Sequence, residues 1–492
     1  VTRQGRQVTC DALVIGSGAG GGVAALELAR AGHGVVALEE GPRVSSAEIA
    51  LATPAQNQRQ LYRNAGLVPI YGHPTIAFAE GRCVGGTTVV NGGLLWSPPA
   101  DLLDRWQLES GISGYGAIQL DAHMRQVTRR LGVITQDRAE GNHDSHLLIR
   151  AADELGWKWT NARRAVVGCR NTNQCATGCP TGAKQSMLLT YLPDAEQQGA
   201  QIVPGTRVHR LGHDGRSIAT VHTIQEDGEP VVYRPRTVFL AAGAVGSAAL
   251  LQHSNIHRAN AGRRMAFHVN LRVIARFRET VSARLGTIFT AQLQEFSDRG
   301  ILVMPANLTA GGLAAALSGH GPDVVNRLLA DIDRAGVFTV QVRMRSCVRI
   351  TALPVLGPVL RHRITAEDRD LMRFALHKAA HLLFTAGASE LYPPAPGVLR
   401  SQAEAEEFAS SSDPRHWDLV CVHAMASCPM GAPQRGGVCD TEGRPYGFEN
   451  LRLCDASVLP GATGISPQGT IMAFAHEITT RYLEDLGRVA RP

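Results

Sequence analysis

The sequence predicts an α/β protein in which a doubly wound, nucleotide-type domain is interleaved with an α+β domain built on a mostly antiparallel sheet. Three observations lead there. A strand, a glycine turn, a helix and a second strand follow one another at 11–39. Two further apolar strands, far downstream, each run into a Gly-rich turn and a helix. Between these units lie alternating segments rich in β-branched residues, with helical patterns beside them.

Taken in order, residues 11–15 (Asp-Ala-Leu-Val-Ile) read as a buried parallel strand, 20–31 as its helix and 34–39 as the next strand. Residues 237–242 form another apolar strand that ends at Gly243 and opens a helix at 247–252. A strand at 451–455 leads through a Pro/Gly turn into a closing helix at 470–486. Segments 268–277, 337–344 and 347–350 alternate as antiparallel strands do, and the helical patterns 322–335 and 366–386 pack upon them. This places the nucleotide domain at 8–105, 165–258 and 435–492, and the substrate domain at 106–164 and 259–434. No internal repeat or low-complexity linker is present.

The chain has 492 residues, 44% hydrophobic and 19% charged, as an ordinary globular protein does. Its net charge of +6 is carried almost wholly by Arg; the lysines are Lys158, Lys184 and Lys378. No long basic run interleaved with aromatic residues marks a nucleic-acid groove. A cationic surface drawn to acidic lipids or to an acidic electron-transfer partner stays open. The polar stretch 1–10 lacks the regions of a secretory signal, and no window is apolar enough to span a membrane. A cytoplasmic protein with reduced thiols is expected, peripheral to a membrane at most.

Gly16-Ser-Gly18-Ala-Gly-Gly21 sits between strand and helix, the context that gives such a motif meaning. Gly16 permits a tight turn, Gly18 lets backbone approach a pyrophosphate, and Gly21 lets the helix pack closely. Glu39, ending the second strand, is placed to bind ribose hydroxyls. These residues predict a dinucleotide without separating FAD from NAD. A second loop, Gly81 to Gly93, contains Gly85, Gly86, Thr87 and Asn91. It is too glycine-rich for regular structure and apolar enough to be buried, which suits close approach to a planar ring and a phosphate.

With these motifs the chain resembles the glucose-methanol-choline (GMC) oxidoreductases, nearest their long-chain alcohol oxidase and cholesterol oxidase branches. The likeness runs almost end to end, through 16–39, 81–91, 242–247, 262–268 and 455–460. It implies an FAD flavoenzyme in which Val208 meets adenine through its backbone and Asp455 approaches the ribityl chain or pyrophosphate. Gln468 and Thr470, opening the last helix, join the cofactor set. Some relatives attach flavin through a His in the glycine loop; Val90 stands there here, implying non-covalent FAD.

His423 lies in an apolar run ending Cys428-Pro-Met-Gly431. A lone His in such a run is commonly a core residue, but the resemblance places the family's general base there. Alcohol oxidation needs the hydroxyl proton removed as hydride leaves for the flavin, and imidazole titrates near neutrality. Where the family has Asn or His before the final helix, this chain has Ser466. Serine donates a hydrogen bond to the substrate oxygen but is no second base, and Gln468 or a water is the alternative filler of the gap.

Cys169, Cys175 and Cys179 form a C-x5-C-x3-C-P string whose ending is similar to ferredoxin ligand runs. Three thiolates suit a [3Fe–4S] cluster, which some dehydrogenases of the family carry. The plainer reading is a structural loop, as in the alcohol and cholesterol oxidase branches, leading into a helix from 182–186 beneath the FAD. Zinc lacks a fourth ligand.

The implied activity is FAD-dependent oxidation of a bulky, lipophilic alcohol (long-chain, sterol-like or aromatic), with apolar residues of 302–329, including 313–317, lining the pocket. The alternatives are an Fe–S-containing dehydrogenase delivering electrons to a cytochrome or quinone, and a non-catalytic FAD-binding protein.

Overall fold

The computed structural model describes residues 6–306, 308–354 and 357–487. Residues 1–5 of the polar stretch 1–10 and 488–492 of the expected nucleotide domain lie outside the described residues, as do 307 and 355–356 of the expected substrate domain. Two large sheets organise the chain. The first runs in the order Gln201–Val203, Val35–Leu38, Arg6–Ile15, Pro230–Leu240, Ile218–Gln225, Thr206–His213, with Leu451–Leu453 also paired to Pro230–Leu240. Its central pairings are parallel, while 206–240 adds an antiparallel flap. Ala12, Leu13, Val14 and Ile15 are all buried, as a strand covered on both faces must be. Such a strand has no polar face, so its sequence is a continuous apolar run.

At Gly16 the chain turns with φ +100°, and a Cβ would stand 2.2 Å from the Ala241 carbonyl oxygen. Only glycine fits there. The helix Ala19–Arg30 follows and packs against the last helix, Gln468–Asp485. Gly21 backs onto the turn itself: its Cβ would lie 1.9 Å from the Gly16 oxygen. Two helices far apart in the sequence are thus packed face to face.

The second sheet centres on Ala266–Phe277, which pairs antiparallel with Ala335–Arg343 and with Leu419–Met425. Ile301–Pro305 and Ala291–Leu293 continue it on one side. Helix Ala366–Thr385 starts with a capping box at Thr365 and packs against the strands Ala335–Arg343 and Ala388–Tyr392. Val68–Tyr71 and Ile76–Phe78 also join this sheet.

Two expectations differ in detail. The helix from Pro322 stops at Ala330, because Val337, Thr339, Val340 and Val342 belong to a strand held from both sides. No helix starts at 182–186: Lys184 pairs with Val166 in a lone bridge, and only a short 3₁₀ turn, Met187–Leu189, precedes the helix Tyr191–Gln197. Among the described residues no helix is long and apolar enough to cross a membrane.

Candidate active site

Both sheets line one cavity of about 1080 Å³. That exceeds the roughly 300–1,000 Å³ of most small-molecule pockets, so a dinucleotide and a second molecule fit together. At its nucleotide end stand Gly16, Gly18, Glu39, Val208, Gly243 and Asp455. Gly18 caps the N-terminus of Ala19–Arg30, a helix with no acid in its first turn. A Cβ on Gly18 would meet nothing within 4 Å. The fold therefore does not need glycine here; the open space is a cradle beside the positive helix end, as an anion requires.

Glu39 is buried and accepts from Ser17 N at 3.1 Å, Ser17 Oγ at 2.7 Å and Gly41 N at 3.0 Å. Burial raises its pKa, and these donors oppose the rise. Ser17 in turn accepts from Gly85 N at 3.0 Å, so one hydroxyl locks the second glycine loop onto the first. Gly85 does this work behind the wall, while Gly86, Thr87 and Asn91 line the cavity. Asp455 accepts from Gly243 N at 2.7 Å, Ser247 Oγ at 2.5 Å and Ser457 N at 2.8 Å; burial raises its pKa as well.

Beneath the second loop lies Lys184, fully buried, whose Nζ donates to the carbonyls of Val89 (2.6 Å), Asn91 (2.7 Å) and Cys175 (2.6 Å). Burial pushes its pKa down to about 8. Asn91 Nδ2 also donates to Gln468 Oε1 at 2.5 Å. The Gln468 oxygen is thereby committed to the loop, while its Nε2, 3.8 Å from Met472 Sδ, stays at the cavity wall on the side of Ser466. Thr470 is buried but does not line the cavity.

His423 and Ser466 line the other end. His423 stands directly opposite His268 in the sheet, and their Nδ1 atoms are 3.1 Å apart with the rings edge to face. Gly464 N donates to His268 Nε2 at 3.1 Å. Neutral His268 therefore carries its proton on Nδ1 and donates it toward Nδ1 of His423, which rests protonated on Nε2. Burial pushes His423 down to about 4, and burial followed by the neighbouring His423 holds His268 well below the ordinary histidine value. Among the described residues Ser466 Oγ makes no hydrogen bond. The His268 partnership spans 155 positions, and the sequence offered no sign of it beyond a histidine inside a family-like loop.

Beyond the histidines a chamber is walled by Phe289, Leu302, Met304 and Val337. Of the segment 302–329, Ala306, Thr309, Gly312 and Ala316 also reach it, whereas Leu313 and Leu317 turn into the core. The cysteine string does not converge. Cys169 is exposed, Cys175 is buried against the Arg164 guanidinium at 3.5 Å, and Cys179 accepts from Lys184 N at 3.5 Å. Among the described residues no group of three or more His, Cys, Asp or Glu side chains is placed to hold a metal ion. The string is a loop that floors the flavin segment through Lys184, so the structure gives the iron–sulfur reading no support.

Residues 58–270 and 341–475 match the sequence patterns of GMC oxidoreductases, and 11–56 that of an FAD binding domain. An uncharacterised GMC-type oxidoreductase of Mycobacterium tuberculosis is 33% identical over 473 residues, covering 94% of this chain and 74% of that one. The chain belongs to the GMC oxidoreductase family. A long-chain-alcohol oxidase of Arabidopsis thaliana is 26% identical, over 97% of this chain and 67% of its own. Pyridoxine 4-oxidase, from a source printed as Mesorbium loti, shares the fold at 18% identity with a TM-score of 0.75, covering 96% of this chain and 99% of that one. The protein is thus an oxidoreductase with an FAD-binding domain, and the glycine cradle suits that cofactor.

Proposed function

We infer that this GMC oxidoreductase oxidises the CH–OH group of a bulky, largely lipophilic alcohol, with His423 as base. The carrying observation is His423 at the cavity wall, its Nε2 the ring nitrogen without a partner among the described residues, in the same cavity as the Ser466 hydroxyl, which is likewise unpaired among them. Gly18 and the helix start behind it would hold the pyrophosphate, Glu39 the ribose, Val208 the adenine, and the Gly86–Asn91 loop with Asp455 the rest of FAD. Val90, a buried valine, offers no covalent attachment, so the flavin is read as non-covalent. Bound flavin supplies the hydride acceptor.

The chain supplies the proton chemistry. Held at about 4, the His423 ring is neutral at physiological pH and able to accept a proton. In its resting tautomer it presents Nε2–H, a donor toward the substrate oxygen. Acting as base requires the other tautomer, with Nδ1–H directed at His268 and His268 protonated on Nε2. That exchange costs the Gly464 hydrogen bond, about 1–3 kcal/mol when the buried donor is left alone. Ser466 donates to the substrate oxygen and holds it against His423; it takes no proton itself. The apolar chamber wall and the likeness to a long-chain-alcohol oxidase support a lipophilic substrate.

The test is anaerobic mixing of the holoenzyme with a panel of long-chain, sterol and aromatic alcohols, following flavin absorbance. Bleaching is expected, slowed about 10²- to 10⁴-fold in His423→Ala, the usual contribution of general-base catalysis. Undiminished bleaching in that variant would remove His423 from the role. Failure of every alcohol would remove the reaction class.

A further inference from the structure

Two amide side chains in the chamber are unexplained by the fold. Asn270 is 8% exposed and Gln292 is 2% exposed, and both line the cavity. Among the described residues neither side chain makes a hydrogen bond; Asn270 Oδ1 and Gln292 Nε2 are buried without any partner. A primary amide offers two donors and an acceptor, and native interiors rarely leave such groups idle unless something else satisfies them. Gln341 shows the contrast: it also lines the cavity, but its Nε2 donates to the Gly464 oxygen at 3.0 Å and so serves the fold.

Register places the pair. Asn270 follows His268 by two residues on the same strand face, about 7 Å further from the dyad. Gln292 stands three strands away across Ala335–Arg343 and Ile301–Pro305, roughly 15 Å at a strand spacing of about 4.8 Å. Leu302, Met304 and Phe289 supply the apolar surface of the same chamber. Arg272, on the same wall, pairs with Asp418 at 2.5 Å through one terminal nitrogen, while its buried Nε has no partner among the described residues. Its charge is balanced by that carboxylate, so what the chamber leaves unspent is hydrogen-bonding capacity rather than net charge.

We propose that the substrate carries, besides the reacting carbinol and an apolar body, a further uncharged hydrogen-bonding function such as a hydroxyl or carbonyl, met by Asn270 near the dyad in a shorter substrate and by Gln292 at the far side of the chamber in a longer one. This rests on the alcohol-oxidation reading and narrows it from a purely lipophilic alcohol to a bifunctional one. The amides act on selection of the substrate, not on the proton transfer, which belongs to His423.

Matched pairs of alcohols test it: hexanol with hexanediol, through to dodecanol with dodecanediol, each assayed with wild-type holoenzyme, Asn270→Leu and Gln292→Met. The expected result is a kcat/KM at least about tenfold higher for the best diol than for its mono-alcohol, carried mainly by KM. The preference should shrink to within about twofold, for the shorter diols in Asn270→Leu and for the longer ones in Gln292→Met. Because each substitution removes an idle buried polar group, Tm should hold or rise; a marked fall would show the amides to be structural and overturn the proposal. Equal rates for diol and mono-alcohol in wild type would overturn it while leaving alcohol oxidation intact. If no alcohol is oxidised, calorimetric binding of the corresponding tertiary diols, which have no carbinol hydrogen to lose, still decides it. Tighter binding to wild type than to the variants supports the amide site, and equal binding refutes it.

Discussion

Replacing Gly18 by alanine separates cofactor binding from folding, and the structure sets the size of the effect. Its backbone, at φ −70° and ψ −162°, lies in the extended region open to any residue. An added Cβ touches nothing in the protein. The apoprotein should therefore keep its Tm or gain the about 0.4–1 kcal/mol that Gly→Ala yields through the unfolded chain. The methyl group instead occupies the pyrophosphate cradle. Forcing a methyl into a fitted contact costs about 1–3 kcal/mol, or roughly 5- to 150-fold in the FAD dissociation constant. Gly16→Ala is the control, since its φ of +100° and the Ala241 oxygen at 2.2 Å strain the fold itself. Titration of apoprotein with FAD by fluorescence quenching, beside melting curves of both apoproteins, reads the two effects apart. Wild-type FAD affinity in Gly18→Ala, or a Tm loss equal to that of Gly16→Ala, would refute the reasoning.

The pH dependence of kcat/KM should have its acid limb at about 4, because His423 must be neutral to accept a proton and burial lowers it to that value. The rate is therefore kept down to that pH and lost below it; a limb near the ordinary histidine value of about 6.5 would count against the burial. Lys184→Met should shed flavin on gel filtration and lower Tm, since each carbonyl left without a donor costs about 1–3 kcal/mol. Lys184→Arg should not restore loading, because a planar guanidinium cannot converge on three carbonyls as an ammonium does; full flavin content in either variant would contradict this.

Where signals are local, the sequence shows the fold. The unit 11–39 is legible because a covered parallel strand must be apolar throughout and its turn must be glycine. Val68–Tyr71, Ile76–Phe78 and Ala291–Leu293 are not, because three or four residues carry too little pattern and their partners lie far along the chain. The site divides the same way. Gly16, Gly18 and Glu39 stand in one motif, whereas the His268–His423 pair and the two idle amides exist only through sheet register. Ser17 had a sign, a hydroxyl set between two glycines. Lys184 had one too: a lysine kept in a chain that otherwise uses Arg marks a place where a compact, three-donor cation is needed.

The meeting of the first helix with the last has a consequence for biosynthesis. Ala19–Arg30 carries the anion cradle, yet it packs on Gln468–Asp485, and its Gly20 would clash with the Cys454 oxygen at 1.7 Å if it bore a Cβ. The part of the site on Ala19–Arg30 is therefore finished only when Gln468–Asp485, made much later, has folded against it. Until then a glycine-rich, apolar surface waits uncovered, dependent on contacts of very long sequence separation, which form slowly and are exposed to aggregation meanwhile. FAD is best regarded as a ligand that binds once both helices are in place, so flavin supply during expression should govern how well the folded protein is retained rather than how it survives that interval.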